Sequence, residues 1–400
     1  MQTNIDLLLN AIRQKVTVLQ QQTIAHYHHL HQHPELSFQE KETSEYVKAV
    51  LTDTGISFRD HIGGYGVLGY IHGEKQGDNK VIALRADMDA LPVTEANQLP
   101  FKSQYNGIMH ACGHDTHTAS LLTAAQIINE LKSEFAGTVL LVFQPGEEKH
   151  PGGASLMLKD GVFDEFKPDL IIGQHAYVDY PVGTVGFQEG IIMASADEIH
   201  IRVKGKGGHG AIPHQVNDTV LAASQLIVSM QQVVSRRSNP FKPMVLTFGK
   251  FIADGATNVI PDEVVLAGTF RCMDEEERSR MKPIIREIAL STCKAYGCAC
   301  EIEIYDGYPC TYNHPEVTRR MKNFADEYLG AAQVLGLPQR MTSEDFGFFS
   351  QAYPSTFYRF GVIGSQNCGG LHTSTFHIDE EALQTSVGVM AYLACRYLSE

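Results

Sequence analysis

The sequence predicts an α/β protein of two domains, a larger one on a mixed sheet and a smaller α+β one inserted into it. Three observations carry this. At 400 residues the chain is too long for one ordinary hydrophobic core. Through about Gly186, short apolar runs alternate with stretches of helical spacing, which is the order of an α/β fold. From about Ala194 to Tyr305 the order becomes β-α-β-β-α-β, which amounts to a complete small domain of the split-βαβ, ferredoxin-like kind. After Tyr308 the first style returns. The boundaries are therefore 1–190 and 306–400 for the larger domain and 191–305 for the smaller.

The elements follow in order. Residues 5–32 carry helical spacing and stop at His33-Pro34, because proline disfavours a helical conformation in the residue before it. A second helix covers 41–54. Gly63-Gly64 and residues 73–79 read as turns. Continuous apolar runs at 81–83, 139–143 and 170–172 fit strands buried on both faces, and 116–131 has helical spacing. In the second region, 199–203 alternates like a strand and a Gly-rich loop follows at 205–210. Next come a helix at 217–236, strands at 244–248 and 263–271, a helix at 274–296 charged on one face, and an alternating strand at 300–305. A last helix covers 381–398.

Hydrophobic residues make up 43% and charged residues 20%, the balance of a soluble globular protein. The net charge of −14 disfavours a nucleic acid or an anionic membrane as partner. No stretch reads as a signal peptide or a membrane span. Eight cysteines in a chain of this length do not make a disulfide scaffold, so reduced thiols and a cytoplasmic location are expected.

Each of the three apolar runs leads into metal-binding or acid–base side chains. The first reaches Arg85-Ala-Asp87-Met-Asp89, the second Gln144-Pro-Gly-Glu147-Glu148, the third Gly173-Gln174-His175. A fourth cluster, His110-Ala-Cys112-Gly-His114-Asp115-Thr-His117, opens the helix at 116–131. Ligands in open α/β sheets sit beyond the carboxyl ends of the strands, so the clusters predict one metal-dependent active site at one edge. Cys112 and His114 offer a thiolate and an imidazole, suited to zinc, manganese, cobalt or nickel. A position at a helix start favours the thiolate. Read alone, the pair fits a packed core thiol equally well. His110 and His117 fit either ligands or hydrogen-bonding support for ligands. Glu147 and Glu148 can divide labour, one on metal and one taking a proton from water, and Pro145-Gly146 turns the chain sharply just before them. Toward the C-terminus, Ser343-Glu344-Asp345 adds acids, and Gly369-Gly-Leu-His372 sets a histidine after a glycine pair. His26, His28, His29, His31 and His33 look like a metal tract, but their spacings scatter them over several faces of one helix.

Six motifs occur in one order: His33-Pro-Glu-Leu-Ser-Phe-Gln-Glu40, Ala83-Leu-Arg-Ala-Asp-Met-Asp-Ala-Leu-Pro92, Met109-His-Ala-Cys-Gly-His-Asp115, Pro145-Gly-Glu-Glu148, Gly205-Lys-Gly-Gly-His209 and Leu371-His372. Together they resemble the aminoacylase/carboxypeptidase family of dinuclear metallopeptidases, in its amidohydrolase branch. That branch holds N-acyl-amino-acid amidohydrolases, hippurate hydrolases and plant auxin-conjugate hydrolases. The resemblance implies two divalent ions per subunit (manganese, zinc, cobalt or nickel) on Cys112, His114, Glu148, His175 and His372, with Cys112 bridging. It implies Glu147 as the base that takes a proton from the attacking water and passes it to the leaving amine. Asp87, Asp89 and His117 would support the ligands. The inserted domain would be a lid and dimerisation domain, giving a homodimer in which His209, or its neighbour His214, reaches the partner's active site. Asn258 and Arg271 would take the substrate carboxylate, although a strand-surface salt bridge serves Arg271 as well.

The implied reaction is hydrolysis of an N-acyl amino acid to a carboxylate and a free amino acid. A dipeptidase or aminoacyl peptidase would use the same site. An inactive scaffold on this fold would show an eroded base or ligand set, and this sequence shows neither. Three departures from the family pattern bear on substrate preference: Lys149-His150-Pro151-Gly-Gly153 where glycine dominates, Pro-Gly in place of Pro-Ala before the carboxylates, and His377 after the last ligand.

Overall fold

The protein is described by a computed structural model over residues 2–364 and 369–400. It divides into two compact units. The larger comprises Met1–Gly190, Tyr312–Pro338 and Phe348–Glu400, the smaller Ile191–Thr311 and Gln339–Gly347. The second segment joins the smaller unit through backbone bonds from Ala194 N–H to the carbonyls of Arg340 and Thr342.

The larger unit holds an eight-stranded mixed sheet. Its order is Ser57–Ile62, Gly66–His72, Thr138–Gln144, Val81–Asp87, Leu170–Pro181, Ser355–Ile363, Val185–Phe187 and Val334–Gly336. The four central strands run parallel, and Gly66–His72 adds to them antiparallel. Thr138–Gln144 is buried along its whole length, as a strand covered on both faces must be. Register sets Asp87 opposite Gln144, and Arg85 opposite Gly173. The carboxyl ends that carry the acid and histidine clusters therefore share one edge. Helices Gln2–Gln32, His114–Glu130 and Ala382–Leu398 pack together, and Leu8, Ile12, Leu121, Ile128, Val387 and Met390 belong to one apolar core. Ala382–Leu398 is buried on nearly every face, which explains its almost wholly apolar sequence.

The smaller unit has a four-stranded antiparallel sheet, ordered Met244–Ile252, Glu263–Cys272, Ser195–Lys204 and Ala299–Tyr305. Numbered along the chain this is 2-3-1-4, the ferredoxin-like arrangement, so the fold class read from the sequence is borne out. Ser195–Lys204 alternates buried and less buried positions, with its buried side in the core of helices Thr219–Gln232 and Glu275–Ala295. Both helices start on an aspartate that accepts a backbone N–H three residues on: Asp218 from Leu221 at 2.9 Å and Asp274 from Glu277 at 2.8 Å. Among the described residues no helix is long and apolar enough to cross a membrane.

Candidate metal centre

Four chain segments of the larger unit meet at the carboxyl edge of its sheet. Cys112 precedes helix His114–Glu130, entered through Gly113 at φ 90°. Glu147 and Glu148 follow strand Thr138–Gln144, and His175 lies in strand Leu170–Pro181. His372 sits in a turn at φ 62°, a backbone state uncommon for a residue with a side chain. That turn is fixed by its N–H donating to the Ala111 carbonyl at 2.7 Å. The Cys112 Sγ lies 3.4 Å from His175 Nε2 and 3.3 Å from His372 Nε2, and His372 Nε2 lies 3.1 Å from Glu148 Oε1. Among the candidate ligand sets whose donor atoms lie within 4.8 Å of one another, two contain Cys112: Cys112, His114 and His175, and Cys112, Glu148 and His372.

The hydrogen bonds decide which ring nitrogens are free. His114 Nδ1 lies 2.9 Å from the Asp89 carbonyl and 3.1 Å from its carboxylate, so it carries the proton. Its Nε2 is buried with no hydrogen-bond partner and lies 3.6 Å from the Asp87 carboxylate, so it is the nitrogen at which a proton or a metal ion would be held. His175 is set the same way, with Nδ1 donating to the Ala176 carbonyl at 2.8 Å and Nε2 facing Cys112. His117 differs. Its Nδ1 donates to Asp87 at 2.6 Å and its Nε2 accepts the Ala176 N–H at 2.9 Å. Both nitrogens are occupied, so His117 orients Asp87 and the His175 strand and offers no lone pair to an ion. Asp89 also accepts from Ser37 Oγ at 2.6 Å and from the Glu148 N–H at 2.9 Å, tying His114 to the Glu147-Glu148 turn.

The electrostatics favour a cation. Burial alone would push the Asp87 carboxyl up, but the Arg85 guanidinium at 2.5 Å and the neighbouring His114 and His117 hold it well below the usual range. Burial opposes charge on His114, yet Asp87 and Cys112 raise its affinity for a proton well above the ordinary value. The Asp87 carboxylate would favour a metal at the same nitrogen. Burial and then the Arg359 charge push His175 far down, which keeps it neutral as a ligand must be. For Cys112 the expectation of a thiolate favoured by the helix start is corrected: burial, then the Glu148 charge, push its thiol up. Without a cation this sulfur keeps its proton, whereas coordination would remove it. Lone-pair nitrogens, a thiol and a carboxylate thus fit divalent ions of borderline softness.

The turn that presents the two glutamates has its own support. Glu40 Oε1 accepts the N–H of Gly146 at 2.7 Å and of Phe38 at 2.9 Å. Burial, then the Asp89 charge, raise the Glu40 carboxyl to about 8. Gly146 stands at φ 61°, and a Cβ there would lie 2.3 Å from the Phe38 ring. This explains why the turn is Pro-Gly in this chain.

Sequence reasoning missed Ser37 and Glu40, and it missed His31, which bridges Asp115 and Glu95 at 2.6 and 3.3 Å. Their only signal was membership of the segment at 31–40, where motif and histidine tract overlap. His110 is buried, and neither ring nitrogen has a hydrogen-bond partner among the described residues.

The remaining predicted residues lie in the smaller unit. His209, on strand Gly208–His209, pairs with Val259, and the Gly210 N–H donates to the Asn258 carbonyl at 2.8 Å, so His209 and Asn258 are neighbours. His214 follows in the exposed turn Pro213–Gln215. Arg271 is apart from them. It lies near the far end of strand Glu263–Cys272, roughly 25 Å along the strand from Glu263 at about 3.3 Å per residue. Its guanidinium donates to Ser343 Oγ at 2.7 Å.

Comparison with known proteins gives concordant matches. Residues 83–396 match the model of peptidase family M20/M25/M40. The chain is 39% identical over 368 residues to the N-acetyl-L-cysteine deacetylase of Bacillus subtilis, covering 92% of this chain and 86% of that protein. It is 37% identical over 374 residues to thermostable carboxypeptidase 1 of Saccharolobus solfataricus, covering 92% and 93%. Among solved structures, the Bacillus subtilis protein YXEP, described as a dinuclear metal-binding peptidase of the M20 family, superposes with a TM-score of 0.82. That pair is 34% identical, with 96% and 99% of the two chains covered.

Proposed function

The chain belongs to peptidase family M20/M25/M40, a family of amide-bond hydrolases, and from that membership we propose that it hydrolyses N-acyl amino acids on a two-metal centre. The observation that carries the reading is the sharing of Cys112 between two candidate ligand sets, with Glu147 beside them. One divalent ion would rest on Cys112, His114 and His175, and the other on Cys112, Glu148 and His372. When bound, such ions supply Lewis acidity toward a carbonyl and lower the pKa of water.

The chain's own groups do the rest. Glu147 takes the proton of the attacking water and returns it to the departing nitrogen. Asp89 and the Ala176 carbonyl hold His114 and His175 in the tautomers that leave Nε2 free. Asp87 is clamped by Arg85 and His117. His209, His214, Asn258 and Arg271 are proposed to meet substrate, His209 at the developing oxyanion and Arg271 at the carboxylate. An N-acetylcysteine deacetylase and a carboxypeptidase both cleave an amide whose nitrogen belongs to an amino acid, which supports that substrate class over a simple amide.

The test is a panel of N-acetyl and N-benzoyl amino acids beside dipeptides. Protein stripped by chelation is assayed after return of manganese, zinc, cobalt or nickel singly. Chelation is expected to remove activity, about two equivalents of one metal to restore it, and acyl amino acids to be turned over at least about tenfold faster than dipeptides. Faster turnover of dipeptides would favour the peptidase alternative on the same centre. Full activity after complete chelation would refute the metal.

We also propose a homodimer through the smaller unit. Its edge strand Met244–Ile252 pairs on one side only and exposes Val245, Phe251 and Ile252. An apolar edge of that length invites pairing. Light scattering is expected to give twice the chain mass, and a fully active monomer would overturn this.

A further inference from the structure

Three of the chain's eight cysteines fall between positions 293 and 300, in the smaller unit and outside the residues assigned to the metal centre. Cys293 lies near the end of helix Glu275–Ala295, and its carbonyl accepts the N–H of Tyr296 at 3.1 Å and of Cys298 at 3.0 Å. The chain therefore folds back over Cys293 and passes directly into strand Ala299–Tyr305. On that strand Cys300 shares the inward side with Ile302 and Ile304, while Glu301 and Glu303 point outward. Cys293 is fully buried and Cys300 half-buried, and both pack into the one apolar core of the smaller unit. Cys298 is buried as well, but its Sγ is directed to the Tyr296 carbonyl at 3.8 Å.

We propose that Cys293 and Cys300 are a reversible oxidation site that closes to a disulfide when the protein meets hydrogen peroxide. Cys300 is the entry point because it is the partly exposed member. The neighbouring Cys293 thiol favours the Cys300 thiolate and lowers that group's pKa, while the same interaction and then burial push Cys293 up. Cys300 sulfur attacks peroxide, breaking the O–O bond and giving a sulfenic acid and one water. Cys293 sulfur then attacks the sulfenic sulfur. The S–S bond forms, the S–O bond breaks, and hydroxide leaves with the thiol proton as a second water. Two thiols have lost two electrons and one peroxide has become two waters. The product staples the end of helix Glu275–Ala295 to strand Ala299–Tyr305, at the edge of the sheet opposite Met244–Ile252.

The experiment uses the whole protein. It is treated with hydrogen peroxide, alkylated, digested with trypsin without reduction, and mapped by mass spectrometry. Cleavage after Lys294 separates the two cysteines, so the disulfide joins two peptides that dithiothreitol releases. Alkylation at Cys293 and Cys300 is expected to fall by more than about tenfold while Cys298 stays labelled. Cys300→Ser is expected to leave Cys293 alkylated after peroxide, and Cys298→Ser to leave the linkage intact. Full labelling at both positions in the wild type overturns the proposal, as does a linkage through Cys298. Because the wild-type map decides by itself, a variant that failed to fold would leave the test standing.

Discussion

Glu147→Gln is expected to lower kcat by about 10²–10⁴-fold, the range spanned by loss of a general base, with metal content and fold retained. That corresponds to about 3–5 kcal/mol of barrier. The substitution keeps the shape of the side chain and removes only its capacity to take a proton. The position suits the role, since Glu147 is 5% exposed, directly after a fully buried strand, with Oε2 3.9 Å from His114 Nε2. Glu148→Gln is the informative contrast. Its carboxylate belongs to the set with Cys112 and His372, so its loss should appear as reduced metal content. Steady-state kinetics on both variants, with elemental analysis of the same samples, separates the roles. A Glu147→Gln enzyme of near wild-type kcat and full metal content would remove Glu147 as the base.

How much of this was legible in the sequence depends on how far apart the interacting groups are. The strands at 81–83 and 139–143 could be read because consecutive apolar residues announce burial, but the first was read too short. Arg85 and Asp87 belong to strand Val81–Asp87 and are buried as an ion pair, which no hydropathy pattern reveals. Strand Ser355–Ile363, at the centre of the sheet, was not marked at all. Two of its polar members are satisfied in ways no pattern shows: Thr356 by a distant partner, Thr318 Oγ1, which donates to it, and Ser355 by donating its Oγ to the Tyr353 carbonyl. The ligand candidates were legible because their motifs keep one order. Their division into two sets around Cys112 was not, since it depends on the fold-back of the 369–372 turn onto Ala111. Local reasoning also misjudged the Cys112 thiol. A helix start favours thiolate, but at 7% exposure beside Glu148 the cost of burying charge is larger.

The histidine tract shows the same limit and yields the second large expectation. His31 is 1% exposed, and its two ring nitrogens face carboxylates, Asp115 at 2.6 Å and Glu95 at 3.3 Å. Two acceptors on one imidazole require both nitrogens to carry protons. Burial opposes that charge, but Asp115 and then Glu95 outweigh it and raise His31 to about 9. The Tyr27 ring packs edge-on against His31, and the neighbouring His110 is pushed down by burial to about 4 and stays neutral in this range. A folded pKa above the unfolded one means stability that is fully present below pH 6.5. It declines as pH rises and is gone above about 9. The size is about 3 kcal/mol, from about 1.4 kcal/mol for each tenfold change in proton affinity. Urea unfolding of the wild type and His31→Asn at pH 6.5 and 9.5 should show a wide stability gap at the lower pH that closes by most of that amount at the higher. A gap of equal width at both would mean an uncharged His31. Because Asp115 directly follows His114, the same ion pair fixes the entry of the helix that presents a candidate ligand, so a loss of metal affinity in His31→Asn should track the loss of stability.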